Sequence, residues 1–154
     1  MSVKAGAGQR TLVGRLLLNG ELVPGRLTVV DGRIGTLDIE GAAGGRAGDG
    51  RTGELPIIAP GLVDLHVHGF GGCDPLGDLA GMARALARAG TTAFQPTLFP
   101  REPVALGRDV EAVWNACQAR GPGARAIGLH LEGPFLNPQR AGAIPEESIV
   151  LPSV

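Results

Sequence analysis

The chain has 154 residues, enough for one domain with a sizeable hydrophobic core. Its 14 basic residues balance 15 acidic ones, which leaves a net charge of -1 and removes the electrostatic argument for a nucleic-acid or anionic-membrane partner. Hydrophobic residues make up 44% of the sequence, but no run of them approaches the roughly 18 residues that a transmembrane helix needs, so we expect a folded protein that does not cross a membrane.

The N-terminal segment is predicted to form a small antiparallel sheet. Its short β-type runs cover residues 12–18, 22–23, 27–30 and 34–37, separated by Asn19-Gly20, Pro24-Gly25 and Asp31-Gly32. Asn-Gly and Asp-Gly between apolar runs are the strongest short-range signals for a hairpin. The Gly-rich stretch 39–53 is predicted to be a connector, with 42–50 as its most mobile part.

Further along the chain, predicted strands alternate with predicted helices. The predicted elements are strand 62–67, helix 79–89, strand 91–98, helix 103–120 and strand 126–131. This order and spacing are typical of consecutive βα units, so the predicted fold class is α/β with a parallel sheet. Trp114 lies within the second helix and is assigned to the core.

Two histidines end the first predicted parallel strand. His66 and His68 share one face of the strand, with Cα atoms about 6.6 Å apart at a rise of roughly 3.3 Å per residue. Two imidazoles so placed can reach one metal ion at about 2.0–2.1 Å, although an arbitrary HxH is more often a pair of buried, hydrogen-bonded histidines. The C-terminal end of a parallel strand is where α/β barrels place catalytic groups, which favours metal ligation here.

Glu132 ends the third predicted strand, on the same face as His130. A glutamate at a strand end is usually a solvated charge, but its place directly before Gly133-Pro134 favours a metal ligand or a buried partner. His130 lies one layer deeper and is assigned a supporting or structural role. Two histidines and one carboxylate form a ligand set of catalytic zinc and of non-haem iron sites.

Other polar side chains carry weaker signals. Asp64 shares the face of His66 and either orients that ligand or caps nearby backbone amides. Gln95 is interpreted as polar filling of the sheet interior, and Cys73 as a small buried thiol. Because Cys73 and Cys117 are the two cysteines and neither lies in a CxxC spacing, a reduced, cytoplasmic protein is favoured.

Three segments together resemble the N-acetylglucosamine-6-phosphate deacetylase family of the amidohydrolase superfamily. They are, in chain order, PGLVDLHVHGFGG, GTTAFQPTLFP and GLHLEGPFLNPQRAGA. HLEGPF is the specific motif, whereas PGxxDxHxH alone marks only the superfamily. The resemblance implies a small β-sandwich, made by both chain ends, around a (β/α)8 barrel. Residues 1–57 are accordingly assigned to the N-terminal part of the sandwich, and residues 58–154 to a truncated first portion of the barrel with about three βα units.

The resemblance also assigns roles by position. Glu132 matches the family's metal-binding glutamate, and His66 and His68 match the HxH pair of members that hold a second metal. The implied cofactor is a divalent metal, zinc or iron, as one or two ions. Gly142 and Ala143 fall in the loop that approaches the sugar phosphate, although Ile144 follows where the family commonly has a histidine. The general-base aspartate and two more metal-binding histidines are expected beyond residue 154, so no catalytic base is assigned within the chain.

The function implied by the resemblance is metal-dependent hydrolysis that removes acetate from N-acetylglucosamine 6-phosphate, a small amino-sugar phosphate, in the cytoplasm. We expect this chain to be an N-terminal fragment that is inactive alone, and the full-length form to be a homodimer. Two alternatives stay open. One is another amidohydrolase, such as a cyclic amidase or a deaminase, although many of those use a lysine where Glu132 stands. The other is a non-enzymatic metal-binding or oligomeric remnant.

Overall fold

A computed structural model describes residues 8–39, 55–119 and 121–152 of the chain. The chain divides into two compact units, Met1–Pro60 and Gly61–Val154. Nearly all of the predicted connector, residues 40–53, lies outside the described residues. Within the described ranges, no helix is both long enough and apolar enough to cross a membrane.

The N-terminal unit contains a four-stranded sheet. Its strands are β1 (Gln9–Leu18), β2 (Glu21–Val30), β3 (Arg33–Ile39) and β4 (Ile57–Ile58). The first three pair as antiparallel neighbours, and β4 pairs in parallel with β1, which gives the order β3-β2-β1-β4. Both loops have positive φ at each residue, 51° and 87° at Asn19-Gly20 and 51° and 76° at Asp31-Gly32. These are the angles of type I′ turns, so both predicted hairpins are confirmed.

The turn predicted at Pro24-Gly25 is wrong, because β2 runs straight through it. The pairing of β2 with β3 extends only as far as Gly25, so Pro24, which has no N–H, faces no described β3 residue. A Cβ on Gly25 would lie 2.6 Å from the Asp38 carbonyl oxygen. The glycine therefore allows β3 to approach β2 closely, and it does not form a turn.

The described part of this unit contains one sheet, so the second layer of the predicted β-sandwich is not among the described residues. Leu16 is buried. Several other large apolar side chains of the sheet are between 39% and 67% exposed, namely Leu12, Val13, Leu17, Leu22, Ile34 and Leu37. The sheet thus carries apolar surface that the described residues do not cover.

The C-terminal unit is an α/β unit with a parallel sheet. Its elements are β5 (Leu62–Val67), α1 (Leu79–Arg88), β6 (Thr91–Leu98), α2 (Pro103–Gln118), β7 (Arg125–Ala126) and β8 (His130–Leu131). The strand β6 is central, since β5, β7 and β8 all pair with it in parallel. The predicted α/β class and the first two parallel strands are confirmed. The predicted third strand is two short strands, β7 and β8, with Gly128 between them against the side chain of Gln95.

The core of this unit lies between the two helices and β6. Its buried apolar residues are Val67, Leu79, Met82, Leu86, Phe94, Leu98, Leu106, Val113 and Ala124. The assignment of Trp114 to the core is wrong, because its side chain is 51% exposed. Val113 on the same helix is buried, and successive residues of a helix point about 100° apart, so the neighbouring position turns outward.

Candidate metal centre

The two histidines of the HxH pair meet at the C-terminal end of β5. His66 is on the strand and His68 directly follows it. Their Nε2 atoms are 3.1 Å apart. Val67, between them, is turned into the core, as the alternation of side chains along a strand requires. Both imidazoles are therefore on the opposite side of the strand from Val67, with their Nε2 atoms facing each other.

Glu132 reaches the same point from the residue after β8. Its backbone N–H donates to the Leu98 carbonyl oxygen at 3.2 Å, which holds it beside the end of β6. One carboxylate oxygen, Oε2, lies 2.9 Å from His68 Nε2, and the other, Oε1, lies 3.9 Å from His66 Nε2. One ligand atom from each residue falls within 4.8 Å of the other two. The structure thus brings together all three residues that the sequence singled out as metal ligands.

The chemistry and spacing of these three residues fit a divalent cation. Two ligand atoms at about 2.0–2.1 Å from a tetrahedral zinc are separated by about 3.3 Å. The two Nε2 atoms, 3.1 Å apart, and His68 Nε2 and Glu132 Oε2, 2.9 Å apart, are close to that value, and His66 Nε2 lies 3.9 Å from the other carboxylate oxygen, Oε1. Two Nε2 atoms facing each other can share at most one proton in a hydrogen bond, whereas a cation between them accepts the lone pair of each. The three groups therefore fit the ligand set of one ion.

The site is open to solvent on one side. The side chain of His66 is 48% exposed, that of Glu132 31%, and that of His68 26%. An open cleft of about 440 Å³ adjoins the carboxylate and is lined by His130, Leu131, Glu132, Gly133, Phe135 and Leu136. A cation and a small molecule can therefore both reach the three groups.

Asp64 supports the site through the backbone. Its Oδ1 accepts a hydrogen bond from the backbone N–H of His66 at 3.1 Å. Of the two roles left open by the sequence, the geometry favours capping of a backbone amide. The aspartate thus holds the main chain of the first histidine.

His130 lies next to the three groups and outside their set. Its ring centroid is 4.6 Å from that of His66, with the planes tilted by 44°. Its Nδ1 is buried and has no hydrogen-bond partner among the described residues, and the same is true of His68 Nδ1. His130 thus adjoins the three groups, and its supporting or structural role stays a prediction.

Phe99 is a contact of the site that sequence reasoning missed. Its ring stacks on the His68 imidazole with centroids 3.7 Å apart and planes 9° apart. The residue directly follows β6, which pairs with β5. The signal was available, because the C-terminal ends of neighbouring parallel strands lie together and the same argument that selected His66 applies to the residue after β6.

Gly142 and Ala143 lie in a tight turn. Gly142 has φ of 64°, and the backbone N–H of Ile144 donates to the Ala141 carbonyl oxygen at 3.2 Å. Both Gly142 and Ala143 are exposed. Their role in binding substrate stays a prediction.

Comparison with known proteins relates the chain to a group of amino-sugar phosphate deacetylases, although no family model matches it. It is 33% identical over 135 residues to N-acetylglucosamine-6-phosphate deacetylase of Bacillus subtilis, covering 81% of this chain and 33% of that protein. It is 35% identical over 98 residues to N-acetylgalactosamine-6-phosphate deacetylase of Escherichia coli O157:H7, covering 61% of this chain and 26% of that protein.

A solved structure gives the same relationship. N-acetyl-D-glucosamine-6-phosphate deacetylase from Mycobacterium smegmatis matches with a TM-score of 0.66 and 28% identity. The match covers 93% of this chain and 38% of that chain. The chain therefore spans between a quarter and two fifths of the length of these three proteins.

Proposed function

We propose, starting from the chain's membership of the N-acetylglucosamine-6-phosphate deacetylase family, that it is the N-terminal part of a metal-dependent hydrolase that removes acetate from N-acetylglucosamine 6-phosphate. The observation that carries the proposal is the convergence of His66, His68 and Glu132 within 4.8 Å. Family membership supplies the reaction, and these three residues supply a place for its metal.

The proposed role of the three residues is to hold one divalent cation through two imidazole nitrogens and one carboxylate oxygen. This mixture of nitrogen and oxygen donors suits zinc or iron. These residues would hold the cation where it would supply Lewis-acid polarisation of the acetamide carbonyl. His66 and His68 would each donate a ring-nitrogen lone pair to the cation, and Glu132 would donate a carboxylate oxygen. A second ion would need ligands beyond this group of three.

We also propose that the C-terminal unit is the first portion of a (β/α)8 barrel, and that residues 1–57 belong to the small β-sandwich. The parallel sheet and the position of the site at its C-terminal edge support the barrel. Within the described ranges, β5 pairs only with β6. Three of its apolar side chains are between 57% and 64% exposed, namely Leu62, Val63 and Leu65. Further parallel βα units would cover these side chains and pair the open edge.

Activity of the complete enzyme requires groups that the three ligands do not provide. A hydrolytic site of this kind needs a general base as well as a bound metal. The three ligands are assigned to the metal and His130 to a supporting role, so none of the described residues is assigned as the general base. We therefore propose that the 154-residue chain binds metal but does not turn over substrate alone.

The proposed substrate is a small N-acetylated amino-sugar phosphate, with the loop at Gly142 and Ala143 near its phosphate. Ile144 offers no hydrogen bond from its side chain, so binding of the phosphate there would depend on backbone N–H groups. The relatives are named for the glucosamine and the galactosamine compounds, and both are therefore assayed. We further propose that the full-length protein is cytoplasmic and forms a homodimer.

The test of the function is acetate release from both acetylated sugar phosphates. The zinc-loaded chain is assayed alone and after co-expression with the remaining C-terminal part of the Bacillus subtilis relative. We expect the chain alone to release no acetate and the reconstituted pair to release it. Glu132→Gln should abolish acetate release by the pair. The control Glu111→Gln, on the exposed face of α2, should leave it unchanged. Turnover by the chain alone contradicts its proposed inactivity. An assembled, zinc-bound pair that releases no acetate contradicts the proposed reaction.

A further inference from the structure

Two threonines of β6 bridge to the backbone of β5, one near each end of the pair. Thr92 Oγ1 donates to the Leu62 carbonyl oxygen at 3.3 Å, at the start of β5. Thr97 Oγ1 accepts from the Val67 N–H at 3.0 Å, at the end of β5. Thr92 is exposed and Thr97 is buried. The buried bridge therefore ends on the residue between the two histidines.

The buried bridge lies at one of the two places where the regular pairing of β5 and β6 breaks, the other being at Leu62 and Val63. Asp64 pairs with Phe94 and Val67 with Pro96, so β5 advances three residues while β6 advances two. At such an irregularity a backbone N–H loses its partner in the ladder, and leaving it unpaired in a buried position is costly. The hydroxyl of Thr97 supplies the missing acceptor for Val67. Thr97 Oγ1 also lies 3.4 Å from the Gln95 carbonyl oxygen, towards which its hydroxyl can donate.

We propose that Thr97 is a positioning residue of the metal centre, and this inference rests on the proposed function because it concerns the same three ligands. Its hydroxyl holds the main chain at Val67, so the two flanking imidazoles keep the common direction that sets their Nε2 atoms 3.1 Å apart. Without that bond the extra residue of β5 is free to shift. His66 and His68 would then reach the metal with less preorganisation.

The test compares the Co²⁺ affinity of four forms of the chain, measured by the visible absorbance of the bound ion. Thr97→Val keeps the shape of the side chain and removes the acceptor, and we expect it to bind Co²⁺ about tenfold more weakly with an altered spectrum. Thr97→Ser keeps the hydroxyl and restores the wild-type spectrum and affinity. Thr92→Val is the matched control, because it breaks the other threonine bridge between the same strands, and it leaves both readouts unchanged.

The outcomes separate this inference from the proposed function. A folded Thr97→Val chain that binds Co²⁺ as tightly as wild type overturns the role of Thr97, and so does an equal loss in Thr92→Val. Failure of the wild-type chain to bind Co²⁺, or undiminished binding after His66→Ala and His68→Ala together, overturns the metal site itself. If Thr97→Val does not fold, Thr97→Ser decides: wild-type affinity supports the inference, and a loss of about tenfold contradicts it.

Discussion

His68 Nε2 lies 2.9 Å from Oε2 of Glu132, although the two residues belong to different parts of the parallel sheet. The histidine follows β5 and the glutamate follows β8, and both strands pair with β6. The meeting of their side chains is a consequence of parallel pairing, because parallel strands end at one edge of a sheet. A substitution at either residue is therefore expected to change metal binding with little effect on the sheet.

Glu132→Gln tests the carboxylate as a ligand. The amide keeps the size of the side chain but removes its charge, and we expect the affinity for Zn²⁺ to fall at least about 100-fold. Competition with a chromophoric chelator measures the change. Glu111→Gln is the control, since it removes a carboxylate from an exposed position of α2. Similar affinities for the two variants would show that Glu132 is not a ligand.

Phe99→Leu tests the stack on His68. Aromatic pairs contribute about 0.5–1.5 kcal/mol beyond their area burial, and loss of the ring frees the imidazole to rotate, so Zn²⁺ binding should weaken by up to about tenfold. Phe135→Leu is a matched control, because the two phenylalanines are 61% and 59% exposed and both lie near the site. The same titration measures both variants. Unchanged binding by Phe99→Leu, or an equal change in the two variants, argues against a role for the stack.

The strands that carry the histidines were predictable because their signals are local. The boundaries of β5 and β6 agree with the predicted ones, since each strand is an apolar or β-branched run bounded by glycine or proline. The turn predicted at Pro24-Gly25 failed because a close contact between strands, visible only in the folded sheet, also selects glycine. The assignment of Trp114 to the core failed for a similar reason. Its helix buries Val113, and the periodicity of α2 alone did not fix which face turns inward.

The candidate site was predictable to the level of residue type and strand end. The pattern of alternation placed His66 and His68 together, and their distance to Glu132 follows from the shared partner strand. The bond of Thr97 to Val67 was not predictable, because it depends on a register shift between two strands that leaves no mark in either sequence.

Two glycine substitutions test the account of the C-terminal unit. Gly107→Ala, inside α2, meets no atom within 4 Å and should stabilise the fold by up to about 1 kcal/mol through helix propensity. Gly123→Ala should destabilise it, because Gly123 has φ of 134° and its Cβ would lie 2.7 Å from the backbone of Ala83. Thermal unfolding measures both changes. A shift in the same direction for the two variants would contradict this packing.

Glu102 gives a pH dependence with a defined sign. Its carboxylate accepts hydrogen bonds from the backbone N–H groups of Val104 and Ala105, each at 2.9 Å, and these bonds lower its pKa below the usual 4.5. The unfolded chain therefore takes up the proton first as the pH falls, and stability falls with it. The stabilisation that the charged Glu102 cap gives the folded state is present above pH 4.5, and it is lost as the pH drops through the lower pKa that Glu102 has in the folded state.

The matching variant is Glu102→Gln, which cannot titrate. We expect wild type to be the more stable at neutral pH, because the charged cap also interacts with the N-terminus of α2. The difference between the free energies of unfolding of wild type and Glu102→Gln should shrink as the pH falls below 4.5. Urea unfolding across this range measures it. A difference that is constant with pH, or that grows in acid, is the opposite of what this cap predicts.

The central claim is that His66, His68 and Glu132 hold one divalent cation. Zinc content per chain, measured after dialysis to remove excess metal, tests it most directly, with the triple variant His66→Ala, His68→Ala, Glu132→Gln as the comparison. We predict about one zinc ion per wild-type chain, bound by nitrogen and oxygen at about 2.0–2.2 Å in X-ray absorption, and none in the triple variant. A metal-free wild-type chain, or a triple variant that retains its zinc, would contradict the claim.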